Sequence, residues 1–289
     1  MKNIAIIFVM LFAGFVLNAQ DKKAYQIFDR NGNAVMYSDM LKSTTSAQVV
    51  LFGELHNNAL CHWLEFELAK DLYAAKGEKL IMGAEMLETD GQLLLDEYLQ
   101  DLMAEKNYKE QARLWQNYAT DYAPLVNFAK EKKLRFIATN IPRHYASMVA
   151  KGGFEALNSL SDPAKALICP LPVPYDENLD CYKSMLSMGG GMGKQGNPNL
   201  PKAQAVKDAT MTHFILKNMK PGDVFLHFNG SYHSDNGESM VWYLKKSGQR
   251  LNIVTISTVE QTDVSTLSEE YKNRADFILV VDEDLTKTY

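Results

Sequence analysis

The chain has 289 residues, 46% of them hydrophobic and 22% charged, so it carries enough apolar side chains for a full core and is neither disordered nor fibrous. Its 30 Lys and Arg against 35 Asp and Glu leave a formal net charge of -5, a field that offers phosphate backbones no attraction, so nucleic acid is not an expected partner. Residues 1–20 have the order of a secretory signal: Lys2, an unbroken apolar run over 4–17, then Asn18, Ala19 and Gln20. A run of about fourteen residues is short of the roughly twenty that cross a bilayer, so export with cleavage after Ala19 or Gln20 is expected rather than an anchor. The mature chain, 21–289, reads as a single domain. No cysteine lies in or just after the signal, so there is no lipobox, and a periplasmic, extracellular or outer-membrane-associated location without an N-terminal lipid is expected. The three cysteines, Cys61, Cys169 and Cys181, lack zinc-site spacing, while Cys169 and Cys181 bracket a short loop that a disulfide closes if their Cα atoms come within reach.

In chain order, residues 25–37 alternate around Asn31-Gly32 and predict a hairpin. Short β-branched runs at 48–53, 79–86, 134–139, 223–229, 251–257 and 275–281 predict strands buried on both faces. Helical periodicity at 59–75, 87–103, 108–115, 122–132, 203–219 and 238–246 separates most of them. Such alternation predicts an α/β fold, a mainly parallel sheet with helices on both faces. The last two strands lack a clear helix between them and are expected to pair differently. Residues 162–201 hold Pro170, Pro172, Pro174 and a Gly-rich tract, and read as a long irregular insertion, a lid or mobile loop, in which Met185, Met188 and Met192 are candidates to line an apolar ligand. The tract is not a phosphate loop, because Met188 and Gln195 stand where the first Gly and the final Ser or Thr belong.

Ligands of parallel α/β sheets bind beyond the carboxyl ends of the strands, and here those ends are polar. Gly53-Glu54-Leu55-His56 follows the first buried strand, Glu85 ends the second, Asn140 and Arg143-His144-Tyr145 follow the third, and His227, Asn229 and Gly230-Ser231-Tyr232-His233 end the fourth. Glycine at a strand end lets backbone and ligand approach closely, and the histidine three residues on can act as ligand, anion binder or base. Glu54 and Glu85 can complete a metal site with His56 and His233 or hold their rings by hydrogen bonds, and Arg143 offers a fork for a carboxylate. His227, inside a strand, reads as a satisfied core histidine, while His62, His144 and His213 read as surface or packing residues.

The phrases VVLFGELHNN, FIATNIPRHYASMVAKGG, DYAPLVNFAKE, AQAVKDATM and LHFNGSYHSD resemble the ChaN-like haem-binding uptake proteins of the Tiki superfamily, and the likeness covers most of the chain after the signal. It implies an exported bacterial protein of haem and iron acquisition, with haem as cofactor and a second copy of the chain and an outer-membrane haem receptor as partners. The expected haem-binding residues are Glu54, His56, Glu85, Arg143, Asn229, Tyr232 and His233. Tyr118, Tyr122, Tyr145, Tyr175 and Tyr232 are the tyrosines near the rim from which an axial ligand would come. The wider superfamily includes metal-dependent proteases and esterases with two GxxH units and an acid, which His56, His233 and Glu85 match. A haem-binding protein and a hydrolase holding a divalent metal through these three residues therefore stand as alternatives.

Overall fold

The computed structural model describes residues 22–188 and 197–289. The expected signal peptide, the Gly-rich tract with Met192 and the Met188 side chain lie outside the described residues. In chain order the elements are β1 (Tyr25–Asp29), β2 (Ala34–Val35), α1 (Tyr37–Ser46), β3 (Val49–Glu54), α2 (Ala59–Lys76), β4 (Leu80–Glu88), α3 (Gln92–Leu99), α4 (Glu105–Gln111), α5 (Ala123–Lys132), β5 (Arg135–Asn140), α6 (Arg143–Gly152), α7 (Asp162–Lys165), α8 (Asp180–Met188), α9 (Leu200–Asn218), β6 (Val224–Gly230), α10 (Met240–Lys246), β7 (Ile253–Gln261) and β8 (Phe277–Asp282).

These strands form one sheet in the order β2-β1-β8-β7-β3-β6-β4-β5. All neighbours from β8 to β5 are parallel, and only the β1 contacts with β2 and β8 are antiparallel. The α/β class with a mainly parallel sheet is thus the observed fold. The strand pleat divides the core. Val50, Phe52, Met82 and Leu226 pack on the side of α2 and α5. Val49, Leu51, Ile81 and Phe225 pack against Met211 and Ile215 of α9 and Leu244 of α10. Both faces are covered, which is why these strands read as continuous apolar runs. At Gly83 the ring of Phe225 lies on the backbone: a Cβ there would come within 2.8 Å of the ring.

The chain lays down β3 and β4 first and later inserts β6 between them. That crossover brings the carboxyl ends of β3, β6 and β4 side by side, so Glu54, the 230–233 loop and Glu85 meet at a topological switch point. A bulge between Ala84 and Glu88 ends the regular β4–β5 register, at Glu85 itself.

Several expectations are corrected. The hairpin forms, with Asp29 Oδ1 accepting from the Asn31 and Asn33 amides at 2.9 Å, but its second strand has two residues because α1 begins at Tyr37. The sequence of α1, YSDMLKSTTS, has no apolar stripe; buried Met40 and Thr44, and Asp39 accepting from the Met36 amide at 3.0 Å, hold it. The helix expected over 87–103 starts only at Gln92, because the bulge carries β4 on to Glu88. The last two strands, β7 and β8, are parallel like the rest, and the antiparallel partner of β8 is β1. The 162–201 insertion is not irregular throughout: it contains α7, α8 and the start of α9, and α8 is anchored by fully buried Tyr182. Cys61, Cys169 and Cys181 are free thiols, so the loop between Cys169 and Cys181 is not closed by a disulfide.

Candidate functional site

On the α9 side of the sheet edge, His233 lies between two carboxylates. Its Nδ1 is 2.5 Å from Asp208 Oδ1 and its Nε2 3.1 Å from Glu85 Oε1. Asp208, in the middle of α9, also accepts from the Tyr182 hydroxyl at 2.8 Å. The second oxygen of Glu85 accepts from the Gly230 amide at 2.8 Å, and its backbone carbonyl accepts from Asn140 at 3.0 Å. Burial disfavours the His233 cation, but the two carboxylates outweigh it and raise its pKa to about 10. The same pairing overcomes burial at Glu85 and holds that carboxyl well below the usual range. Together they form a buried imidazolium bridge.

On the α2 side, His56 Nδ1 is 2.7 Å from Glu54 Oε1, which also accepts from the Tyr122 hydroxyl at 2.6 Å. Burial pulls the His56 pKa down, and Glu54 more than restores it. The His56 side chain stays 32% exposed and its ring meets Trp115 edge-on at 4.9 Å. Its Nε2 and Glu85 Oε2 flank one spot: a Cβ on Gly230 would lie 2.8 Å from the first and 3.5 Å from the second. Both GxxH histidines are therefore held at Nδ1 by a carboxylate; in His56 that orients the imidazole for Nε2 to work, whereas Nε2 of His233 is taken up by Glu85.

Behind His56 is a second pair that motif reading passed over. His62, expected to be a surface or packing residue, is buried and puts Nδ1 2.8 Å from Glu65 Oε2, and Nε2 3.1 Å from the His56 carbonyl and 3.5 Å from Asp121. Burial lowers its basicity, but Glu65 and Glu54 raise its pKa to about 10. Asn117 donates to the His56 carbonyl at 2.8 Å and to Asp121 at 2.7 Å, and Thr288 donates to Asp121 at 2.7 Å. Asp208, Glu65 and Asp121 share one retrospective signal, a charged residue among buried positions; Glu65 also follows His62 at helical i, i+3 spacing.

The remaining sequence candidates divide. Arg143 opens α6, binds Glu88 through Nε and is 63% exposed. It lines a cleft of about 460 Å³ with Glu85, Glu88, Trp115, Asn140 and Lys207. Asn229 is buried and faces inward, donating to Gly230 O and Ser234 Oγ. His227 is the satisfied core histidine expected, 3.1 Å from Asn229 Oδ1 and 2.7 Å from Thr139 Oγ1, and burial lowers its pKa to about 4. The Tyr232 hydroxyl is taken up by the Cys181 carbonyl and Ser184. Tyr118 and Tyr122 are buried and Tyr175 packs between Phe154 and Tyr182, whereas Tyr145 is half-buried beside exposed His144.

A mainly parallel α/β sheet whose switch point carries two carboxylate-held GxxH histidines defines a class of ligand-binding edge. Residues 40–244 match the family described as "Haem-binding uptake, Tiki superfamily, ChaN", and the chain belongs to that family. No curated protein sequence matches the chain. Among solved structures, the ChaN of Campylobacter jejuni, described as showing cofacial heme binding, is similar with a TM-score of 0.68 at 17% identity, covering 90% of this chain and 98% of that one. A succinoglycan biosynthesis protein has a TM-score of 0.50 at 11% identity, covering 84% and 90% of the two chains. At these identities the likeness to both structures is one of fold.

Proposed function

We propose that the chain is an exported haem-binding protein of haem and iron uptake, taking haem at the carboxyl edge of the sheet. Besides the family, the observation that supports this is the cleft of about 460 Å³ beside His56, which sets Ile141, Ala146 and Ala203 against Arg143 and Lys207. A porphyrin needs an apolar wall, cations for its propionates and a donor for its iron, and the first two line this cleft. Bound haem supplies the iron, and the chain's own part is to hold and orient it. Arg143, anchored through Nε on Glu88, keeps its other donors for a carboxylate, and Lys207 adds a second cation. Of the expected donors, His56 and Tyr145 retain exposure, while the Tyr122 and Tyr232 hydroxyls are engaged. A cleft open to solvent covers one side of a flat ring, so a second copy of the chain is the proposed cover for the other. Among the described residues no helix is long and apolar enough to cross a membrane. Export, the dimer and transfer to an outer-membrane receptor belong to this proposal.

Titrating the purified protein with hemin tests it: a saturable Soret shift is expected, weakened by Arg143→Ala and by His56→Ala. No saturable shift, together with stoichiometric manganese, cobalt or zinc lost on Glu85→Gln, would replace it with the metal-dependent hydrolase using His56, Glu85 and His233.

A further inference from the structure

We propose that Glu54, His62 and Glu65 form a buried site for one divalent first-row transition-metal cation, beneath His56 and separate from the edge formed by Glu85 and His233. One donor atom from each of the three residues lies within 4.8 Å of the other two. All three side chains are buried, Glu54 at 1% exposure, Glu65 at 0% and His62 at 6%. An independent observation points into the same space: Glu54 Oε2 and Glu65 Oε1 are buried with no hydrogen-bond donor. Two facing carboxyl groups in that state are costly unless they share a proton or a cation, and a divalent cation satisfies both oxygens.

The local structure favours a ligand set. His62 and Glu65 stand at i, i+3 on the first turns of α2, so both project from one face toward the end of β3, where Glu54 arrives. The opposite edges of the set are already fastened. Glu54 Oε1 accepts from His56 at 2.7 Å and Tyr122 at 2.6 Å, and His62 Nε2 lies 3.1 Å from the His56 carbonyl. Such outer contacts are what hold metal ligands in place. Asp121, 3.5 Å from His62 Nε2, is a third buried acidic side chain beside this set among the described residues. Two carboxylate oxygens and one imidazole suit manganese, iron, cobalt or zinc; calcium needs six to eight oxygens and magnesium keeps several waters, which a buried site does not accommodate. To ligate, His62 Nδ1 exchanges its 2.8 Å contact with Glu65 Oε2 for the cation. The site does not depend on the haem reading and lies on the α2 face of the sheet, not in the cleft.

The test is metal binding by the full chain, stripped with a chelator and titrated with cobalt(II), manganese(II) and zinc(II) alone. One equivalent is expected to bind, with affinity falling by about tenfold or more in Glu65→Gln and retained in Glu85→Gln. No binding of any of the three, or binding lost in Glu85→Gln and kept in Glu65→Gln, overturns the proposal. Should Glu65→Gln not fold, anomalous scattering from a manganese-soaked wild-type crystal decides: a peak between Glu54 and Glu65 supports the site, and its absence refutes it.

Discussion

Gly53–His56 and Gly230–His233 share a spacing, a place at a strand end and a carboxylate on Nδ1, yet they finish in opposite environments. His233 is 4% exposed and held at both ring nitrogens, by Asp208 and Glu85. His56 keeps 32% of its side chain exposed and is held at Nδ1 alone, with Trp115, a wall of the cleft, against its ring. The difference comes from what is packed outside each loop. After His233 the chain enters α10, which packs with α9, whose Asp208 holds the ring, whereas among the described residues no second carboxylate hydrogen-bonds His56. Spacing brings a histidine to the edge; the neighbouring elements decide whether it becomes fixed charge inside the scaffold or a group that can reach a ligand.

The sharpest way to break this distinction is Asp208→Ala. It leaves the His233 cation one carboxylate short and the buried Tyr182 hydroxyl without an acceptor, and about 3–5 kcal/mol of stability should be lost. Urea unfolding that places Asp208→Ala no lower than His56→Ala would show that the two units do not differ as described. Next in size is a pH effect that separates His233 from His227 on the same segment. Unfolded histidine takes its proton near 6.5, and folded His227 only near 4, so the stability owed to His227 falls as pH drops from 6.5 to 4, by about 3 kcal/mol. Folded His233 keeps its proton to about 10, so its contribution is complete below 6.5 and is lost as pH rises toward 10. Unfolding free energies measured from pH 4 to 10 should show both limbs. His227→Gln should flatten the acid limb, and His233→Gln should reduce the alkaline limb to the part His62 contributes.

The buried strands were legible in the sequence because both faces of the sheet are covered, which turns each into an apolar run that no amphipathic strand would show. Glu54, His56, Glu85 and His233 were legible for the same reason: a polar residue where such a run stops has an edge to sit on. Asp208, Glu65 and Asp121 were not, because they reach the strand ends from α9, α2 and the turn before α5, on the two faces of the sheet, and no motif at a strand end includes them. Their trace in the sequence is an acid among buried neighbours, as with Asp208 beside Val206, Ala209 and Met211. Asn229 and Tyr232 looked as promising as Glu54 by position. Their side chains turn inward, to Ser234 and Cys181, and spacing carries no sign of that.

The two glycines give a smaller and more selective contrast. A Cβ on Gly53 would meet backbone, Ile256 O at 2.8 Å and Ser231 Cα at 2.9 Å, neither of which can rotate away. Gly53→Ala should therefore cost about 1–3 kcal/mol in urea unfolding. On Gly230 the nearest atoms belong to the tip of the His56 ring, which can swing outward into its exposed side. Gly230→Ala should cost less stability than Gly53→Ala while weakening hemin binding more, because it displaces the accessible histidine and leaves His233 paired. His56→Ala completes the series with a smaller loss of stability than Asp208→Ala, since Glu54 Oε1 keeps the Tyr122 hydroxyl and Glu54 keeps the neighbouring His62 charge when the imidazole is gone. The same variant should show a clear loss in the hemin titration. If His56→Ala instead unfolds as readily as Asp208→Ala and binds hemin unchanged, the exposed histidine is scaffold like its counterpart and is not the iron donor.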